Sequence, residues 1–311
     1  MIPAVGLLLI CVLVPPFSHA AGGAKRWLQL GPLSFQVSEL AKFTLIVYLA
    51  DFLSRKPLST LQNFWKGFLP PALMLGVFLG LILLQPDLGT VIAIGLVAVI
   101  LFYLGRARMV FLLASFLAAL PALTLLLFRV PYRRRRILAF LDPWDDPQGI
   151  GFQIIQSFIA LGSGGLHGLG LGQSRQKLFY LPEAHTDFIF SIIGEELGLI
   201  GTLAICFLFF VFLVLGIRIA VKALDLFGCL LASGIVSMIC LQAIINIGVV
   251  TGSLPTKGLP LPFISFGGSS LLINLVSIGV LLNIAKQSSG MSSLSRVKGK
   301  KDYRLFMEAK S

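Results

Sequence analysis

The sequence predicts an all-α fold: a polytopic membrane helical bundle of about eight spans with one large extracytoplasmic loop. Three observations carry this. The 311 residues are 57% hydrophobic and 12% charged, with a mean hydropathy of +0.94, too apolar for a soluble surface. Apolar stretches of near-spanning length recur from end to end. Lysine and arginine in the short connections favour alternate sides.

Taken in order, the candidate spans are 1–17, 36–54, 67–84, 88–104, 109–128, 190–217, 226–250 and 268–286. The first has two readings: a signal peptide, because small residues follow the apolar core near Ala20-Ala21, or a membrane helix ended by Pro15-Pro16. The absence of basic residues before the apolar core favours the helix. The pair around Gln85-Pro86-Asp87 is short enough to form a broken hairpin, with Pro86 ending one helix and Asp87 capping the next. From about 129 to 189 the chain is not linker-like. It holds an acidic turn (Asp142 to Pro147), an amphipathic segment at 152–161, a glycine-rich run at 162–172 and the polar entry LPEAHTDF into the next span. The membrane domain therefore covers 1–286, and a basic Ser/Gly/Lys tail over 287–311 is expected to be disordered and cytoplasmic.

With the first residue inside, the short inner loops hold Arg55, Lys56, Lys66, Arg106, Arg108, Arg218 and Lys222, seven in all, against Lys25, Arg26 and Lys257, three, outside. A connection of about 60 residues translocates largely regardless of its charge, so the short loops decide, and they place 129–189 outside. The run Arg133, Arg134, Arg135 and Arg136 then lies on the wrong side for a cytoplasmic anchor. Two roles stay open for it: a patch against lipid headgroups, or a clamp on pyrophosphate, which guanidinium groups bind bidentately. On a helix four consecutive residues cannot all face one ligand.

Asp187 is the leading catalytic candidate. Positions 187, 191, 194, 195 and 198 (Asp, Ser, Gly, Glu, Gly) form one small and polar stripe at helical spacing, facing a cavity or another helix. A carboxylate partly desolvated between Phe188 and Phe190 gains strength as a base; its competing role is helix capping. His185 lies beside it. Glu39 and Lys42 share a helix face as an intramembrane ion pair or as part of a functional cavity. Lys257, the only charge in the Pro- and Gly-rich stretch GSLPTKGLPLPFISFGGSS, suits a phosphate ligand.

Other classes are excluded by what is missing. The glycine run has no preceding strand and no Gly-Lys-Ser/Thr ending, so dinucleotide and P-loop sites are not indicated. Cys11, Cys206, Cys229 and Cys240 sit in apolar runs without disulfide or metal spacing. The net charge of +12 suits anionic lipid, and no nucleic-acid motif accompanies it.

The segments GGAKRWLQLGPLSFQVSELAKF, QPDLGT, FLDPWDDPQGIGFQIIQSFIALGSGGLHGLGLGQSRQKLFYLPEAHTDFIFSIIGEELG and LPTKGLPLPFISFGGSS, in that order, resemble the SEDS family of shape, elongation, division and sporulation proteins, its division branch most closely. The resemblance implies a peptidoglycan glycosyltransferase that polymerises lipid II, the undecaprenyl-pyrophosphate disaccharide-pentapeptide, with β-1,4 inversion on the extracytoplasmic face of the bacterial inner membrane. A lipid II flippase or a non-catalytic scaffold is the alternative. It implies a class B penicillin-binding transpeptidase and septal division proteins as partners. By the motif HTDF it places the essential carboxylate on Asp187, and it adds Arg26, Trp27, Lys42 and Lys257 as sensitive positions. It implies ten spans, of which this chain begins at the third. No cofactor is implied; a divalent cation bridging the phosphates is chemically compatible, and no residue pattern specifies one.

Overall fold

The computed structural model describes residues 2–13, 18–21, 24–30, 33–128, 131–149, 151–177, 181–256 and 258–308. The chain runs through α1 (Ile2–Leu13), strands β1 (Ser18–Ala21), β2 (Ala24–Leu30) and β3 (Leu33–Gln36), then α2 (Val37–Arg55) and the short α3 (Leu58–Leu61). A π-turn at Phe64–Phe68 leads into α4 (Leu69–Leu84), followed by α5 (Leu88–Leu104), α6 (Met109–Phe128), α7 (Pro131–Leu141), α8 (Phe152–Gly164), α9 (Ile189–Val221), α10 (Leu226–Val250) and α11 (Gly268–Glu308). Each expected span coincides with one helix. Four stretches are long and apolar enough to cross a bilayer: Phe64–Leu84, Ile189–Val221, Leu226–Val250 and Gly268–Ser289. Shorter apolar helices accompany them at Ile2–Val12, Leu88–Leu104 and Met109–Pro121. The chain is a multi-pass membrane protein.

The bundle centres on α10, which packs against α2, α5, α9 and α11. Small residues set its approach distances: a Cβ on Gly234 would stand 2.5 Å from Ile46 Cγ2 and 3.3 Å from Leu101 Cδ1, so glycine lets α10, α2 and α5 meet at one level. Val5, Leu9 and Val12 of α1 are buried at helical spacing. The Leu9 carbonyl accepts a hydrogen bond from Gln85 Nε2 at 3.1 Å, which pins α1 to the end of α4. Of the two readings of the N-terminal stretch, a packed helix is the one observed.

Three features depart from expectation. A three-stranded antiparallel sheet, ordered β1-β2-β3, occupies residues read only as a connection; Trp27 of the central strand pairs with His19 and with Gln36. Strands of four to seven residues, separated by Gly22-Gly23 and Gly31-Pro32, are too short to show a period in sequence. The expected disordered tail over 287–311 is instead a continuation of α11 as far as Glu308, consistent with the helix propensity of its Lys, Arg, Leu and Met residues. Finally, Asp187 is not on the helix that carries the rest of its stripe, since α9 begins at Ile189 and breaks at Gly198 (φ +68°, ψ −164°).

That break explains what the stripe faces. A Cβ on Gly164 would lie 1.9 Å from the Gly194 carbonyl oxygen, and one on Gly198 would lie 2.4 Å from Gly168 N, so α8 and the loop after it touch α9 backbone to backbone. Leu169 N and Gly170 N donate to the carbonyls of Glu195 and Glu196, and Leu199 N donates to Gly165 O. These bonds satisfy groups that the kink removes from the helical ladder. Glu195, 1% exposed, accepts from Ser174 Oγ at 2.5 Å, Arg175 N at 3.0 Å and Gln176 N at 3.3 Å. The stripe therefore anchors the loop over 165–177 and does not line an open cavity.

Candidate active site

Asp187 sits in a tight turn that ends where α9 starts. Leu181, Ala184 and Phe188 are buried and hold the turn to the bundle. The Glu183 carbonyl accepts from Thr186 N at 3.1 Å and Phe188 N at 3.2 Å, and Thr186 Oγ1 donates to Glu183 Oε2 at 2.7 Å. Glu183 holds the left-handed backbone this requires, with φ +56°. Phe188 occupies the cap position of α9 without a side-chain cap. The Asp187 carboxylate is thus not used in capping.

It rests instead on the loop between α10 and α11. A Cβ on Gly258 would come 2.6 Å from Asp187 Oδ2, so a side chain there would displace the carboxylate. The loop folds on itself through Ser265, whose Oγ accepts from Leu261 N at 2.7 Å and donates to Thr186 O at 2.5 Å. Phe266 N donates to His185 O at 2.9 Å.

Three further elements bring charge. Arg26 of β2 donates from Nε to Gln85 O at 3.0 Å and from Nη2 to Pro86 O at 2.6 Å, which fastens the sheet over the α4–α5 turn. Asp87, 3% exposed, caps α5 as expected, accepting from Thr90 N at 3.2 Å and Thr90 Oγ1 at 2.8 Å. Arg136 of α7 donates from Nη1 to Thr256 O at 3.4 Å, on the loop next to Lys257.

These groups set the acidity of Asp187. Burial is the largest influence and pushes its carboxyl up to about 6; the negative charges of Glu183 and Asp87 reinforce this, while Arg26 and Arg136 oppose it. The result is a carboxylate that is ionised at neutral pH yet basic enough to take a proton. With two guanidinium groups within electrostatic reach of it, the site suits abstraction of a hydroxyl proton close to a multiply charged anion. Among the described residues, no three His, Cys, Asp or Glu side chains converge to hold a metal.

Of the candidates, Arg26 and Arg136 lie near enough to Asp187 to act on it electrostatically. Arg135 is exposed, and Lys257 and the side chains of Arg133 and Arg134 lie outside the described residues. Trp27 follows Arg26 on β2 and, by strand alternation, turns to the opposite face. The His185 side chain is exposed. Glu39 and Lys42 pair with each other at 2.7 Å, both 3% exposed at the side chain. The cavity beside them, shared with Gln242, Asn274 and Ser277, measures about 20 Å³, room for one water and not for a sugar or a pyrophosphate.

Sequence reasoning passed over Gly258, Asn246 and the electrostatic role of Asp87. Asn246 left a signal: Gln242 and Asn246 stand one turn apart within an apolar span, each 1% exposed. Asp87 was legible as a cap but not as a neighbour of Asp187, because 100 positions separate them.

The FtsW/RodA/SpoVE family model, described as cell cycle protein, matches residues 1–290. A probable peptidoglycan glycosyltransferase FtsW of Geobacter sulfurreducens is 50% identical over 283 residues, 91% of this chain and 76% of the relative. Stage V sporulation protein E of Bacillus subtilis is 49% identical over 283 residues, covering 90% and 76%. Among solved structures, a chain from a study of polymerization and crosslinking by a peptidoglycan synthase complex superposes with a TM-score of 0.75 at 31% identity, covering 92% of this chain and 80% of that one. The rod shape determining protein RodA of Thermus thermophilus gives 0.66 at 30% identity, covering 92% and 76%. The helical order, the Asp187 turn and these likenesses converge: the chain belongs to the FtsW/RodA/SpoVE family of cell cycle proteins.

Proposed function

We propose that this chain is a peptidoglycan glycosyltransferase that polymerises lipid II during bacterial cell division, with Asp187 as its general base. The carrying observation is the half-buried Asp187 carboxylate, raised to about 6 and flanked by Arg26 and Arg136. Asp187 takes the proton from the 4-hydroxyl of the acceptor sugar as its oxygen attacks C1 of the donor. The bond from C1 to the phosphate oxygen breaks, the configuration inverts, and undecaprenyl pyrophosphate leaves with the electron pair. Arg26 and Arg136 stabilise the charge that develops on that leaving group, joined by Lys257. The names of the relatives support the reaction class, and the similarity to a chain of a peptidoglycan synthase complex supports a partner that crosslinks the strands, a class B penicillin-binding transpeptidase. The loop-charge asymmetry supports an active site on the outer face of the inner membrane, and the division-branch likeness supports the septum.

The test uses purified protein in detergent with fluorescent lipid II and a glycosyltransferase-inactive partner. The intact chain is expected to make glycan strands and Asp187→Asn none, with both variants equally folded. A near-normal rate for Asp187→Asn removes Asp187 from the base role. Absence of strands from the intact chain, together with lipid II movement across vesicles, points to the flippase reading.

A further inference from the structure

Three consecutive carbonyls lead into α9, and each is captured from across the site. His185 O accepts from Phe266 N, and Thr186 O accepts from Ser265 Oγ, both on the loop between α10 and α11. Asp187 O accepts from Asn246 Nδ2 at 2.8 Å. Asn246 differs from the other two holders in coming from a helix, the central α10, where it is 1% exposed. Its second amide hydrogen goes to Leu259 O at 2.7 Å. Both neighbours are carbonyls, so only the NH₂ end can serve them and the orientation of the amide is fixed chemically.

One side chain therefore joins the main chain of Asp187 to the residue after Gly258, the surface on which the Asp187 carboxylate lies. We infer that Asn246 is a positioning residue for Asp187, clamping residues 187 and 259 together so that the carboxylate is held in place and kept dry against Gly258. The inference rests on reading Asp187 as the base. Helix α10 is the most deeply buried of the long spans, so it supplies a fixed reference that two loops alone lack. The charges facing Asp187 come from Glu183 in its own turn, Arg26 on β2, Asp87 at the start of α5 and Arg136 on α7. An uncharged replacement at position 246 leaves all of them in place, so its effect reports geometry and hydration.

The test compares the intact chain with Asn246→Leu, alike in branching and heavy-atom count but without donors, Asn246→Ser, which retains one donor, and Asp187→Asn. Each is purified in detergent, its melting temperature recorded, and kcat and KM for lipid II followed against pH. For Asn246→Leu the expected result is a 10- to 100-fold fall in kcat with KM within about threefold, since misplacing a catalytic group by about 1 Å has effects of this size. The acid limb of its rate profile is expected to move down from about 6 toward ordinary carboxylate values as water reaches Asp187. Asn246→Ser is expected to fall between, and it decides the matter where the leucine variant does not fold. An unmoved acid limb with kcat either unchanged or falling only with the folded fraction overturns the positioning role and leaves Asn246 a fold residue. Activity in Asp187→Asn overturns the base reading and this inference with it; an inactive Asp187→Asn beside unaffected Asn246 variants overturns this inference alone.

Discussion

At the scale of single residues, Asp187 shows function and stability pulling against each other. Burial pushes its folded carboxyl up to about 6, against 3.8 for a free aspartate, so between those values the folded protein holds a proton that the unfolded chain has released. Stability therefore falls as pH rises from 3.8 through 6, and the cost of ionisation is fully present above 6 and absent below 3.8. Two pKa units correspond to at most about 3 kcal/mol, less where solvent reaches the turn. Asp187→Asn is expected to raise the melting temperature at pH 7.5 and to flatten its pH dependence, measured by thermal denaturation in detergent. The rate runs the other way, being lost below 6 as the base protonates. An Asn variant less stable than the parent at neutral pH sinks the account of Asp187 as a strained, desolvated group.

At the scale of elements, Glu39 and Lys42 form an ion pair within α2. Lys42 and Glu39 are buried together in the bundle, where either charge without its partner costs much more than both removed together. Lys42→Met should cost about 3 to 5 kcal/mol, while Glu39→Gln with Lys42→Met should cost far less than the two single changes summed. Calorimetry of the four proteins in detergent checks this; additive losses show that the two side chains act independently. The kink of α9 at Gly198 serves a different purpose. By freeing backbone groups of one helix turn it lets the loop over 165–177 hydrogen-bond to a membrane span, and Gln176 O then accepts from Leu181 N at 3.0 Å at the start of the Asp187 turn. The anchor at Glu195 is in this way continuous with the Asp187 turn.

Over the whole molecule, burial is uneven. Helix α10 is buried over 67% of its most apolar window, whereas Val110, Leu113, Phe116 and Leu117 of α6 are each at least 59% exposed, as expected of a helix that meets lipid over most of its circumference. Amide hydrogen exchange in detergent is expected to be slowest in α10 and α2 and at least tenfold faster in α6, because local opening of α6 breaks few packed contacts. Equal protection of α6 and α10 counts against this hierarchy. The site hangs on the rigid part: Asn246 belongs to α10, Arg26 is fastened to the end of α4, and Asp87 opens α5.

The all-α membrane class, the placement of eight helices, the cap at Asp87 and the catalytic candidacy of Asp187 all follow from local properties: hydropathy over a span, proline and aspartate at helix ends, a carboxylate at the mouth of an apolar helix. Such features need only neighbours in sequence, so the sequence by itself determined them. That Arg26 and Arg136 act on Asp187, and that Gly258 and Asn246 form the bed of the carboxylate, were decided only by the tertiary structure. Each depends on segments 50 to 160 positions apart meeting at distances set by packing, as Arg26 and Asp187 do, and no local pattern encodes that meeting. The short sheet belongs to the same class, since its strands are defined by the partners they find.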